Sequence, residues 1–96
     1  MQLTIKSNLK DLVPGYLDNR QAEFEQLGNL LGSADFDTIS GVAHNMKGIG
    51  IPYGFQYISD LGLELETAAK AGDAEQLRLL LSQYKTYLDE LEIVYQ

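Results

Sequence analysis

An all-α fold follows from three features of the 96-residue chain. Apolar residues recur at helical spacing in four consecutive segments, Gly, Pro and Asp break the pattern between them, and no stretch alternates long enough to build a sheet. Four amphipathic helices with short connections predict an antiparallel up-down four-helix bundle, here with a short additional N-terminal helical segment. Residues 1–96 are expected to form one domain.

Residues 1–7 read as an extended segment, in which Leu3 and Ile5 alternate like a strand but are too few to define a sheet. A separate turn of helix is expected over residues 8–13. The first long helix spans residues 14–31, with Pro14 suited to a first helical position. Leu17, Phe24, Leu27 and Leu31 share its core face, which Val13 and Tyr16 extend backward. Gly32, Ser33 and Ala34 interrupt the pattern, and Asp35 is a good N-cap for the second helix. Phe36, Ile39, Val42, Ala43, Met46 and Ile49 form that helix's core face. Pro52 crowds the carbonyl four residues back and cannot donate a hydrogen bond, so the helix should end or kink near Ile51. The third helix runs from about residue 53 or 54 to 71, burying Phe55, Ile58, Leu61, Leu65, Ala68 and Ala69, with Gly72 as its C-terminal cap. Asp73 followed by Gln76 resembles a capping box for the fourth helix. There Leu77, Leu80, Leu81, Tyr84, Leu88, Leu91 and Tyr95 form one stripe.

Composition narrows the chemistry. The absence of cysteine excludes disulfides, thiol catalysis and Cys-rich zinc sites. A formal charge of −7 argues against a general grip on nucleic acid phosphates and points to protein partners. With neither a signal-peptide pattern nor an apolar run long enough to span a bilayer, a soluble, cytoplasmic, monomeric protein without membrane contact is expected.

The single histidine, His44, projects about 150° away from the core direction of its helix at 100° per residue, so it should face solvent. Its neighbours three and four residues away are Ser40, Gly41, Lys47 and Gly48: small, small, cationic and small. Each interior glycine costs a helix about 0.8–1 kcal/mol relative to alanine, yet four of the nine glycines (Gly41, Gly48, Gly50 and Gly54) fall between positions 41 and 54. Gly50 projects toward the core, which suits close helix approach. Gly41 and Gly48 project away from it beside His44, clearing space for another macromolecule. Lys47 lies one turn from His44, where its charge could offset a phosphoryl group.

This constellation resembles a known family. His44, Met46, Lys47, Gly48, Gly54, Leu61 and Leu65-Glu66 match, position by position, the signature of histidine-containing phosphotransfer (HPt) domains of two-component phosphorelays. That signature has a histidine, an apolar residue two on, lysine three on, glycine four on and another glycine ten on, then a leucine-rich helix ending in Leu-Glu. Helix order and lengths match across nearly the whole chain. Where many members carry small polar residues after the first glycine, Ile49, Gly50, Ile51, Pro52 and Tyr53 stand here.

The resemblance implies that His44 is the phosphoacceptor, attacking through Nε2 the aspartyl phosphate of a response-regulator receiver domain and forming a phosphohistidine. Lys47 would stabilise the phosphoryl group, and Ser40, Gly41 and Gly48 would give a partner access. Gly54, Leu61 and Glu66 would belong to the structural motif. Receiver domains, or a hybrid sensor histidine kinase, would be the partners in this signal transduction. Mg²⁺ would sit in the receiver alone, and the chain itself would have no cofactor, no metal and no kinase activity of its own. Two other readings stand beside this one. The first is a non-catalytic helical adaptor or dimerisation bundle with His44 incidental, to which Leu63, off the core face of its helix, lends support. The second, a metal-dependent hydrolase, is disfavoured because one histidine and scattered carboxylates make no coordination sphere.

Overall fold

The computed structural model describes residues 2–96 and is mostly helical. Its α-helices are α1 (Val13–Gly32), α2 (Phe36–Ile49), α3 (Gln56–Lys70) and α4 (Ala74–Glu90). Single 3-10 turns occupy Ser7–Leu9 and Ile51–Tyr53, and short strands β1 (Gln2–Ile5) and β2 (Glu92–Tyr95) lie at the two ends of the chain.

Side-chain chemistry sets the helix boundaries. Asp35 Oδ1 accepts the Thr38 N–H at 3.2 Å, and Asp73 Oδ1 accepts the Gln76 N–H at 3.0 Å. Only half of a capping box forms at the second site, because the Asp73 N–H donates to the Ala68 carbonyl at 2.9 Å instead. α1 closes in a Schellman-type turn, with the Asp35 N–H on Leu30 O at 2.9 Å and Ala34 in the left-handed region at φ 54°. Gly54 (φ 88°) ends the Ile51–Tyr53 turn in the same region, where a side chain would be strained.

Four expectations need correction. The fourth helix stops at Glu90, and Leu91 (ψ 125°) turns the chain into β2, so Tyr95 belongs to a strand. Leu3 and Ile5 do take part in a sheet: β1 pairs in parallel with β2, Leu3 against Ile93 and Ile5 against Tyr95. The ladder continues through Gln96 N–H to Ile5 O at 3.0 Å and Ser7 N–H to Gln96 O at 2.8 Å. β-branched Ile93 and Val94 favour this extended form, and it lets Ile5, 2% exposed, cover the apolar end of the helices near Gly54. The N-terminal turn of helix is a 3-10 turn over Ser7–Leu9 and does not extend over residues 8–13. The third helix starts at Gln56 and not at residue 53 or 54, because Tyr53 belongs to the 3-10 turn and Gly54 is left-handed; Phe55 is the residue before the helix, although its side chain is fully buried.

The core is one cluster centred on Leu27, Ile39, Met46, Phe55, Leu65 and Tyr84. Leu61 also lies within it. α2 and α3 form the most extensive pairing, and two glycines permit it. A Cβ on Gly62 would stand 2.6 Å from the Lys47 amide nitrogen and 2.9 Å from the Ala43 carbonyl oxygen, so only glycine allows this approach. Gly50 has the role its projection suggests, since a Cβ there would meet Phe55 O at 2.5 Å and Ser59 N at 2.6 Å. Among the described residues no helix is long and apolar enough to cross a membrane.

Candidate functional site

His44 stands on the outward face of α2 with 64% of its side chain exposed. The α2 face that holds it outward is fixed from below by Ala43 and Met46, both fully buried. On the facing helix, Gly62 draws α3 against the backbone of residues 43–47. Glu66, four residues further along α3, is thereby carried to the same place.

The result is a charged cluster around one carboxylate. Glu66 Oε2 lies 3.0 Å from His44 Nδ1, and Glu66 Oε1 accepts from Lys47 Nζ at 3.2 Å. Lys70 Nζ approaches Oε2 at 3.5 Å from one turn further along α3. The Glu66 side chain is only 10% exposed, whereas Lys47 and Lys70 are 39% and 67% exposed and keep much of their hydration. The hydrogen bond from Lys47 holds the Glu66 carboxyl below its ordinary value of 4.5. Burial pulls the other way, while the His44 contact and the charges of Lys47 and Lys70 add to the lowering.

An ionised carboxylate can only accept, so His44 Nδ1 is the donor in this pair. That assigns the neutral ring its tautomer: the proton sits on Nδ1 and the lone pair on Nε2. The arrangement therefore supplies an exposed nitrogen nucleophile, a buried anion behind the ring to balance positive charge on it, and two cations nearby.

The surroundings are bare. Gly41 and Gly48 are exposed, and a Cβ at either would meet nothing within 4 Å. Neither glycine is needed for packing. Ser40 is half-buried beside them, and an open groove lined by Thr38, Gly41, His44, Glu66 and Lys70 runs along this face. Lys47 is engaged with Glu66 and does not point alone toward the imidazole. Gly54 is remote from the cluster by role, since its environment is Ile5 of β1.

Sequence reasoning placed Glu66 in a structural motif and missed its contact with His44. Lys70 was missed altogether. Two signals could have found them: Gly62 on the core face of α3 marks a close helix approach, and Gly62, Glu66 and Lys70 recur every four residues on one face. No protein-family model, curated protein or solved structure matches the chain.

Proposed function

We propose that the chain is a histidine phosphotransfer protein of the HPt type, carrying a phosphoryl group on His44 between receiver-domain aspartates in a two-component phosphorelay. The observation that carries this reading is the His44–Glu66 pair, an exposed imidazole whose inner nitrogen is held by a buried carboxylate. The four helices are read as an antiparallel up-down bundle that serves as a rigid mount for this pair.

In the transfer step the Nε2 lone pair attacks the phosphorus of an aspartyl phosphate. The N–P bond forms as the P–O bond to the aspartate breaks, and the aspartate leaves as a carboxylate. Nδ1 keeps its proton throughout. The ring becomes cationic, and Glu66, already ionised and in place, balances that charge without reorganisation. Lys47 and Lys70 offset the incoming phosphoryl charge in a chain that is otherwise acidic. The bare surface at Gly41 and Gly48 lets the receiver bring phosphorus within about 3–3.5 Å of Nε2. The chain works as a cytoplasmic monomer, uses no cofactor and has no kinase activity of its own, with Mg²⁺ supplied in the receiver.

The test is label transfer from a phosphorylated receiver domain to the wild-type chain and to His44→Gln. Wild type is expected to acquire acid-labile label and the variant to fold normally and acquire none. Label retained on His44→Gln would refute the assignment, and a chain that accepts no label from any receiver would favour the adaptor reading.

A further inference from the structure

Two lysines approach the carboxylate of Glu66, and they hold it in different ways. Lys47 donates to Oε1 at 3.2 Å, and this hydrogen bond is the largest influence keeping the carboxyl ionised. Its backbone is fixed as well, because Gly62 of α3 packs directly on the Lys47 amide nitrogen. Lys70 Nζ stands 3.5 Å from Oε2 in a looser ion pair, with its side chain 67% exposed against 39% for Lys47.

The two lysines also face different space. The open groove that passes His44 is walled by Asp37, Ser40, Glu66 and Lys70, and Lys47 takes no part in it. Oε2 is also the oxygen that accepts the His44 Nδ1 proton at 3.0 Å. Lys70 therefore stands one carboxylate oxygen away from the reactive ring, on the groove side.

Phosphorylation would upset the balance of this cluster. A phosphoryl group on Nε2 leaves the ring cationic, so that three cations surround one carboxylate. Their mutual repulsion is relieved when the most weakly held member leaves. That member is Lys70. A phosphoryl group carries about −1.5 to −2 charges at neutral pH, which makes its oxygens a stronger partner than a carboxylate already shared with two other cations. An exposed lysine on a flexible stem reorients toward them within picoseconds to nanoseconds.

We propose that Lys70, and not Lys47, is the lysine that contacts the phosphoryl group on His44, while Lys47 is a positioning residue that keeps Glu66 on the imidazole. Lys47 then acts on the phosphoryl charge only at a distance. This division rests on the phosphocarrier reading, and it departs from the family resemblance, which gives the phosphoryl contact to Lys47.

The test loads the full chain with phosphoramidate, so that no receiver is needed. Nε2 attacks its phosphorus, the P–N bond breaks, and ammonia leaves with the bonding pair. Two nuclear magnetic resonance signatures are read on wild type, Lys70→Gln, Lys70→Arg and Lys47→Gln: the ¹⁵N shifts of the His44 ring before loading, and the ³¹P titration of the phosphoryl group after it. Asp37, the other charged group on the groove wall, is the same in all four chains. Lys70→Gln should raise the pH at which the phosphoryl group takes up its proton by about 0.5 or more, as loss of a cation at contact distance implies. The same variant should leave the ring shifts of the unloaded chain as in wild type, and Lys70→Arg should restore the phosphoryl titration. Lys47→Gln should do the converse, moving the ring shifts away from the Nδ1–H tautomer with less than half the effect on the phosphoryl group. Both lysines are partly exposed, so the helical circular dichroism of wild type is expected throughout. Lys70 also lies in the last turn of α3, where a cation favours the helix terminus, but that role would change stability and leave the ³¹P titration where it was. An unchanged titration in Lys70→Gln would overturn the proposal, as would a larger displacement in Lys47→Gln, or a His44 that phosphoramidate cannot load. Receivers that fail to load the chain would instead strike the phosphocarrier reading and leave both signatures standing.

Discussion

Glu66 and Glu23 are both helical glutamates, both about nine-tenths covered, and both paired with cations, yet their carboxyls move in opposite directions. At Glu66 the hydrogen bond from Lys47 outweighs burial, and His44 and Lys70 reinforce it, so the proton is held less tightly than in a free glutamate. At Glu23 burial dominates. Arg20 and the hydroxyl of Tyr84, which donates to Glu23 Oε1 at 3.2 Å, only partly counter it, and the proton is held more tightly. Burial pushes the Tyr84 phenol upward as well. Donor number and access to water separate the two clusters. Three groups converge on Glu66 at the α2–α3 face, two of them half-hydrated lysines, while Glu23 shares one guanidinium inside the α1–α4 layer. The first glutamate is a stable anion set behind an exposed imidazole. The second is a buried charge that the fold tolerates.

If that distinction is right, substitutions around His44 should change transfer more than stability. The largest effect is expected at Gly48. Gly48→Gln should add up to ~1 kcal/mol of stability by improving helix propensity in open space. The same side chain would stand one turn from His44 on the docking surface, and transfer from a phosphorylated receiver should fall roughly 100-fold, the scale of a misplacement of about 1 Å. Thermal melts and transfer rates measured together check this. A variant that melts like wild type and transfers like wild type would remove the bare patch from the docking surface.

A smaller effect is expected from the cluster's own members. Glu66→Ala should slow transfer about tenfold through loss of a charge-assisted hydrogen bond to His44. Lys47→Ala should slow it only a few-fold or shorten the phosphohistidine lifetime, because a partly solvated lysine contributes little. Rapid-quench transfer assays rank the two. Equal rates in Glu66→Ala and wild type would reduce Glu66 to a structural residue.

The smallest effect, and the sharpest test of the contrast, is in the sign of pH dependence. Glu66 has a folded pKa below the ordinary 4.5. Its ionisation therefore stabilises the fold above that value, and the contribution disappears as pH falls through the lowered one. Glu23 has a raised folded pKa. Its ionisation costs stability at neutral pH, and that cost disappears as pH falls through the raised value toward 4.5. Chemical denaturation from about pH 3 to 7 should show Glu66→Gln less stable than wild type at neutral pH, with the gap closing in acid. Glu23→Gln, which keeps an acceptor for Tyr84, should be at least as stable as wild type at neutral pH and lose any advantage in acid. Variants that shift stability in the same direction would break the comparison.

Much of this architecture could be read from the chain, and the exceptions have physical causes. Local signals located the helices and their caps, because Asp35, Gly72 and Asp73 act on backbone within four residues of themselves. His44's outward direction followed from helical periodicity alone. The β1–β2 pairing did not, since its strands lie at the two ends of the chain and Leu88, Leu91 and Tyr95 fit a helical stripe as well as a strand. Periodicity is also silent on the distance between helices. The meeting of Glu66 with His44 depends on a contact of Gly62 with the Lys47 and Ala43 backbone, a tertiary fact that no single segment encodes. Arg20, on the face that buries Tyr16 and Leu27, likewise became interior only because Glu23 and the Tyr16 ring receive it.

The central claim is that Glu66 fixes the His44 tautomer and thereby directs phosphorylation to one nitrogen. The most direct measurement is to load the ¹⁵N-histidine-labelled chain from a phosphorylated receiver and locate the phosphorus by its ¹⁵N–³¹P coupling. Coupling to Nε2 of His44, with a proton retained on Nδ1, is the result predicted. Coupling to Nδ1, or phosphorus on any other residue, would contradict it.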